Sequence, residues 1–255
     1  MVYYNSVNHS TTTLQDRENI FQQLKPPAQE AVVALQTCNR IEYYGGEGDI
    51  EPATVKHLFR VVAGLESGIP GESAIQGQVK AAYEKARQRY SLSSSLHRLF
   101  QHALRVGKLV RNSSEIGKGA VSYGQATVEI LLASGIDLTD TRITLIGVNK
   151  LTEDTIRFLQ KKGAETLFVA NRSYHKALPY AQKYSCRIVG FDQLQDVLLH
   201  TDVLISATSA PYPVILPSIF PENKPMHIFD LAFPRDVDER ISHYKDVTLY
   251  NLEDI

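Results

Sequence analysis

Arg142-Ile143-Thr144-Leu145-Ile146-Gly147-Val148-Asn149-Lys150-Leu151-Thr152 is the stretch that decides the fold. A short apolar run of strand length ends in glycine, and Glu153 to Lys162 then repeats its apolar residues at helical spacing. A strand that stops at glycine and opens into a helix aims free backbone N–H groups at an anion. That is how a Rossmann domain holds a pyrophosphate. The usual glycine pattern is G-x-G-x-x-G, and only Gly147 keeps it here. Asn149 can adopt a positive φ, and Thr152 can offer a hydroxyl or cap the helix. The expectation is a dinucleotide loop made of Gly147, Val148, Asn149, Lys150, Leu151 and Thr152. The competing reading is a degraded loop that binds nothing.

Downstream the texture repeats. Thr166 to Ala170 reads as a strand, Tyr174 to Tyr184 as a helix, and Cys186 to Val189 as a short strand. Asp202 to Ser206 and His227 to Leu231 read as further strands that complete the series. Strands alternating with helices predict a parallel, doubly wound sheet. NAD enzymes place an acid roughly 20 residues after the glycine loop to read the ribose 2′-hydroxyl. Here the second strand ends in Asn171-Arg172-Ser173, and an arginine at that place suits a 2′-phosphate. NADPH is therefore expected over NADH, with Lys176 assisting; otherwise Arg172 is an ordinary surface residue. Ser206-Ala207-Thr208-Ser209-Ala210-Pro211 follows the fourth strand, where Thr208 would pass near the nicotinamide or ribose.

Upstream of this half, Val121 to Ala133 reads as a helix, and residues 51–118 as a run of helices. Lys80, Lys85, Arg87, Arg89, Arg98, Arg105, Lys108, Arg111 and Lys118 face only Glu84 and Glu115 in that stretch. It is either a solvated helical face or a phosphate-contacting one. Residues 2–44 read as a small α/β unit. Strands are expected at Val2–Tyr4, Ala31–Leu35 and Ile41–Tyr44, with a helix from Leu14 to Leu24 stopped by Pro26-Pro27. The expected domains are 1–118 and 119–255.

Cys38 sits in Leu35-Gln36-Thr37-Cys38-Asn39-Arg40, at a strand exit among polar neighbours. It is either an inert small hydrophobe or a nucleophile. Arg40 could favour its thiolate or grip a carboxylate. His57 is either structural or a proton donor. Among 255 residues only Cys38 and Cys186 are cysteines, a number and spacing that fit neither a zinc site nor a disulfide framework. The net charge of -1 excludes a bulk polycation. With no signal peptide and no apolar run near the roughly 18 residues of a membrane span, a cytoplasmic protein without membrane contact is expected. No metal site is expected.

These residues carry a resemblance. Thr37-Cys38-Asn39-Arg40-Ile41-Glu42-Tyr43-Tyr44 resembles the nucleophile segment of glutamyl-tRNA reductases, as does Asn8-His9-Ser10-Thr11 near the start. His57 through Ser67, Gly71-Glu72, Gly77-Gln78-Val79-Lys80, Gly107-Lys108-Leu109-Val110-Arg111 and Gly119-Ala120-Val121-Ser122 follow the family in order. So do Ala170-Asn171-Arg172-Ser173, Ile205 to Ser209 and Asp230 to Asp238. The resemblance covers nearly the whole chain. It implies an N-terminal α+β catalytic domain followed by a Rossmann-like NADPH-binding domain. It implies that Cys38 attacks the ester of glutamyl-tRNA, forming a thioester that NADPH reduces to glutamate-1-semialdehyde, the precursor of 5-aminolevulinate and porphyrins. Arg40 would hold the substrate carboxylate. Thr37, Asn39, Ser67, Glu72 and Gln78 would line the glutamate pocket, and His57 would orient the substrate or polarise its carbonyl. Ser73, Ala74 and Gln76 replace the usual Pro, Gln and Leu, so Ser73 and Ala74 would form an altered rim. An aminomutase would take the aldehyde. Family members continue past the position of Ile255 into a helical dimerisation domain; the expectation is a chain without it, to which the family homodimer is not carried over. A cofactor-impaired tRNA-binding or regulatory relative, and a dehydrogenase of the shikimate type, are the competing readings.

Overall fold

Alternation along Arg40-Ile41-Glu42-Tyr43-Tyr44-Gly45 sends Arg40, Glu42 and Tyr44 to one face of a strand and Ile41 and Tyr43 to the other. All six residues are buried, because this strand (β3, Arg40–Gly45) lies at the centre of a three-stranded antiparallel sheet. Its neighbours are β1 (Tyr3–Asn8) and β2 (Val33–Thr37). The computed structural model describes residues 1–23, 30–72, 74–117 and 122–255. The chain divides into Met1–Ser122 and Tyr123–Ile255.

In the first unit, α1 (Leu14–Gln23) follows β1, and α2 (Pro52–Ala63), α3 (Ala74–Arg89) and α4 (Ser94–Ser113) follow β3. Strand β1 runs past the expected Val2–Tyr4 because its polar half, Asn5 to Asn8, pairs with β3 down to Asn8 opposite Arg40. The expected Pro26-Pro27 stop and residue Leu24 lie outside the described residues. The apolar faces of the helices meet the sheet around Leu35, Tyr44, Leu58, Val62, Val79, Leu96 and Phe100. Tyr44 meets Phe100 edge-on at 5.3 Å, and Tyr83 stacks on Phe100 at 5.4 Å. Helices α2 and α4 approach so closely that a Cβ at Gly107 would fall 2.3 Å from Val62 Cγ1.

The second unit opens with α5 (Tyr123–Ala133); Val121, expected to begin it, is outside the described residues. The strands are β4 (Arg142–Ile146), β5 (Thr166–Ala170), β6 (Arg187–Val189), β7 (Val203–Ser206), β8 (Met226–Asp230) and β9 (Val247–Tyr250). All pairings are parallel and the order is β6-β5-β4-β7-β8-β9. Renumbered within the unit this is 3-2-1-4-5-6, the order of a dinucleotide-binding Rossmann sheet. Helices α6 (Lys150–Lys161), α7 (Tyr174–Tyr184) and α8 (Leu194–His200) make connections. The sheet does not end at β8 as expected: β9 adds a sixth strand, and α8 is a further helix. Helix α6 begins at Lys150 rather than Glu153, because the Asn149 side chain caps it. Among the described residues no helix is long and apolar enough to cross a membrane.

Candidate functional site

Thr37 pairs with Arg40, so the β2–β3 hairpin turns on Cys38 and Asn39 alone. That puts Cys38 at a tip rather than within a strand, and part of its surface is open. Thr37 Oγ1 accepts the Asn39 N–H (3.2 Å), and the Asn39 carbonyl accepts the His9 N–H (2.9 Å). The turn is therefore braced from both sides. Burial is nevertheless the main influence on the thiol, and the Glu72 charge adds to it; together they push Cys38 up to about 12. Arg17 and Arg40 pull the other way but do not win. Arg40 thus acts on the thiol in the expected direction, but in the unliganded chain burial and Glu72 outweigh it.

Arg40 is fully buried and committed elsewhere. Its Nη1 meets Glu42 Oε1 at 3.3 Å, and its Nη2 donates to the Glu66 carbonyl. Its Nε is buried without a hydrogen-bond partner. Glu42 is the hub of this face. It accepts Ser6 Oγ (3.0 Å), Tyr44 OH (2.6 Å) and His57 Nε2 (2.8 Å) in addition to Arg40. Burial alone would raise the Glu42 carboxyl. The His57 hydrogen bond, the Arg40 charge and Tyr44 outweigh it, and the group lies below its ordinary value. His57 comes from α2, and its ring stacks on Tyr4 of β1 at 4.3 Å and 12°.

Helix α2 ends at Gly64, which is left-handed at φ +81°. The loop beyond it folds back, with Gly71 N–H donating to Gly64 O (2.9 Å). Ser67 and Glu72 are buried in this loop. Burial raises the Glu72 carboxyl, against the pull of Ser67, Arg40 and Arg111. Arg111, one of the basic residues of the helical stretch, turns inward instead of joining a basic face. It donates to Gln76 Oε1 (2.9 Å), Glu72 O (3.2 Å) and Val62 O (2.8 Å), tying α4 to the loop. Of the expected pocket residues, Thr37, Asn39, Arg40, Ser67 and Glu72 are buried, Ala74 and Gln78 are exposed on α3, and Ser73 lies outside the described residues. Sequence reasoning gave Glu42 no role. The signal was the alternation Arg40-x-Glu42-x-Tyr44, which puts three polar groups on one strand face. The buried Arg17 of α1, whose Nη1 donates to Thr12 O (2.6 Å), was missed as well.

In the second unit a cavity of about 510 Å³ opens at the C-terminal ends of β4, β5 and β7. This is the topological switch point, where β5 and β7 lie on opposite sides of β4. Gly147, Val148, Asn149, Asn171, Arg172, Ser173 and Thr208 line it, as do Lys176 and Tyr212. Gly147 stands at φ +97°, and a Cβ there would lie 2.5 Å from Ala207 O. Asn149 does not take the expected positive φ; it is extended (φ -156°) and its side chain accepts the Thr152 N–H at 3.0 Å. Thr152 is therefore capped rather than capping. It is buried, and Lys150 turns out to Asp154 (2.8 Å). Neither these two nor Leu151 lines the cavity; they form the first turn of α6, whose N-terminus Asn149 caps. The cavity fits a dinucleotide: a helix N-terminus for phosphate, and two exposed cations, Arg172 just after β5 and Lys176 in the first turn of α7. Among the described residues no cluster of His, Cys, Asp or Glu could hold a metal.

The profile described as "Glutamyl-tRNAGlu reductase, N-terminal domain" matches residues 47–114, and "Shikimate / quinate 5-dehydrogenase" matches 129–255. The glutamyl-tRNA reductase of Methanopyrus kandleri is 35% identical over 88% of this chain and 61% of its own length. That of Carboxydothermus hydrogenoformans is 32% identical over 97% of this chain and 65% of its own. The chain thus spans less than two thirds of these two relatives. It covers 72% of the Thermus thermophilus enzyme at 32% identity, matching over 100% of its own length. The solved Methanopyrus structure aligns with a TM-score of 0.49 and 30% identity, over 99% of this chain and 71% of that one. With identity above 30% over its full length and more than two thirds of a curated relative covered, this chain belongs to the glutamyl-tRNA reductase family.

Proposed function

We propose that the chain catalyses NADPH-dependent reduction of glutamyl-tRNA to glutamate-1-semialdehyde through a thioester on Cys38. The observation that carries this reading is the hairpin tip. It presents one cysteine beside a network in which buried Arg40 and Glu42 hold the half-buried His57, an arrangement that a purely structural thiol does not need. Residues 1–118 would then recognise glutamate and residues 119–255 would bind NADPH.

Cys38 Sγ attacks the carbonyl carbon of the ester, and the thiol proton leaves with the tRNA 3′ oxygen. Covalent capture divides a hard reduction into two easier steps. Arg40 Nε, the one buried donor of that side chain left without a partner, is the group available for the substrate carboxylate. Thr37, Asn39, Ser67 and Glu72 would form the polar wall, with Ala74 and Gln78 at its rim. His57, fixed by Glu42 and Tyr4, orients the carbonyl. When bound, NADPH supplies the hydride that turns the thioester into the aldehyde and frees Cys38. Gly147, Val148, Asn149 and the N–H groups of Lys150 and Leu151 would cradle its pyrophosphate, with Thr152, whose N–H is held by Asn149, fixing the turn. Asn171, Arg172 and Ser173 would meet the 2′-phosphate end, and Thr208 the nicotinamide side. On α4 the exposed Arg98, Arg105 and Lys108 share one face and suit an RNA backbone. The reactive aldehyde makes an aminomutase its fitting recipient, and two free cysteines fit a reducing cytoplasm.

Single-turnover reduction of radiolabelled glutamyl-tRNA tests this. Aldehyde should form with NADPH, a thioester or free glutamate without it, and neither with Cys38→Ser. Full activity in Cys38→Ser would overturn the mechanism. No NADPH uptake by calorimetry would favour the regulatory relative.

A further inference from the structure

The geometry points to Asp236 as a positioning residue for the cofactor: its side chain and its own carbonyl hold the two ends of the loop that walls the dinucleotide cavity. This rests on the reading of that cavity as the NADPH site.

The loop runs from residue 207 to residue 215, and its Thr208, Ser209, Tyr212 and Val214 line the cavity. Asp236 is fully buried. At the start of the loop its Oδ2 accepts Ser206 Oγ (2.7 Å) and the Thr208 N–H (2.7 Å), and its Oδ1 accepts Thr208 Oγ1. Thr208 Oγ1 in turn accepts the Ala210 N–H (3.1 Å). At the far end the Asp236 carbonyl accepts the N–H groups of Val214 (2.7 Å) and Ile215 (2.9 Å). One residue therefore fixes entry and exit. Asp230, at the end of β8, holds Asp236 in place by accepting the N–H groups of Ala232 (3.1 Å) and Val237 (2.8 Å) on either side of it. A loop of this length has no regular structure of its own to resist movement, and hydrogen bonds to a charged acceptor are the strong ones. A buried carboxylate that accepts three hydrogen bonds, with two more on the same residue's carbonyl, thus sets where the wall stands at the mouth of the cavity.

The test uses the whole chain and two readouts. In Asp236→Asn, amide hydrogen exchange at Thr208 and Ala210 should speed up at least tenfold while β4 and β5 stay protected. The NADPH dissociation constant should rise about tenfold, and KM for NADPH with it, while kcat falls less than threefold. Native exchange at residues 208–215 in this variant would overturn the proposal. So would faster exchange with an NADPH constant within twofold of the parent. If the parent itself takes up no NADPH while exchange still accelerates in the variant, it is the cofactor reading that has failed, and the pinning of the loop stands. Should Asp236→Asn not fold, Thr208→Val and Thr208→Ser replace it. Valine should free the Ala210 amide and weaken NADPH, and serine should restore both; equal behaviour of the two would overturn the proposal.

Discussion

His57 Nε2 lies 2.8 Å from Glu42 Oε1, while the imidazole lies flat on Tyr4 with ring centroids 4.3 Å apart. The ring is held in its plane by β1 and along its axis by β3, so its position is set by the sheet rather than by its own helix. Glu42 also neutralises Arg40 in a site without water access. Replacing it by glutamine leaves a buried guanidinium without a counter-charge, an error that costs about 3 kcal/mol or more. Glu42→Gln should lower the denaturation midpoint accordingly, by urea titration, and slow thioester formation at Cys38 at least tenfold. A variant as stable as the parent would show that Arg40 needs no counter-charge.

Cys38, pushed up to about 12 by burial and Glu72, should be a slow nucleophile in the free chain. Alkylation by iodoacetamide at Cys38 should rise about tenfold per pH unit from 7 to 9.5 without a plateau, as expected when only the thiolate reacts. Mass spectrometry of the labelled peptide reads this. A plateau below pH 8 would mean that the cations Arg17 and Arg40 prevail after all.

Gly147→Ala meets two obstacles at once: a left-handed φ of +97° and a carbonyl oxygen, Ala207 O, 2.5 Å from the new methyl. The second unit should lose about 2 kcal/mol, and NADPH affinity at least tenfold. Calorimetry under matched conditions gives both. Unchanged affinity would remove Gly147 from the cofactor site.

Arg172 should choose between the two nicotinamide dinucleotides. Arg172→Ala should weaken NADPH about 10- to 100-fold, the scale of one charge-assisted contact to phosphate, with little change for NADH. Adding Lys176→Ala should deepen the effect. Equal losses for both cofactors would place Arg172 away from the 2′-position.

Asp230 is raised to about 7, first by burial and then by the neighbouring Asp236 charge. The unfolded chain gives up this proton near pH 4, the folded chain only near 7. The associated stability is complete below about pH 4 and is lost as pH rises to about 7, a loss on the order of 4 kcal/mol. Asp230→Asn should flatten that part of the pH–stability curve in urea titrations of the whole chain. A variant with the parent's slope would mean that Asp230 titrates as an ordinary acid.

The sequence carried the second unit further than the first. Strand β5 and helix α7 begin and end where their residues predict: β5 is an apolar run between Gly163 and Asn171, and α7 lies between Ser173 and Ser185. Strand β9 was missed because Val247–Tyr250 is an edge strand, half exposed and too short for a pattern. Helix α8 was missed because seven residues give barely two turns of periodicity. Asn149 shows a subtler failure. Both a left-handed turn and a helix cap suit asparagine, and only the partner, the Thr152 N–H, decides. The tip position of Cys38 was legible from its polar neighbours. Glu42 was not, since one acid in a strand reads as a solvent-facing residue until β1 and α2 close over it.

The central strand of the first unit gives one whole buried face to Arg40, Glu42 and Tyr44. The groups that would serve chemistry are thus the same groups that fill the fold. At these three positions a mutational scan cannot separate damage to turnover from damage to abundance, and tolerated replacements should be nearly absent. The neighbouring rim, Ala74 and Gln78, lies on exposed helix surface and has no such double duty. Replacements should therefore be tolerated at Ala74 and on the exposed face of α3 outside Gln78, while the strand beneath the cysteine stays fixed in composition.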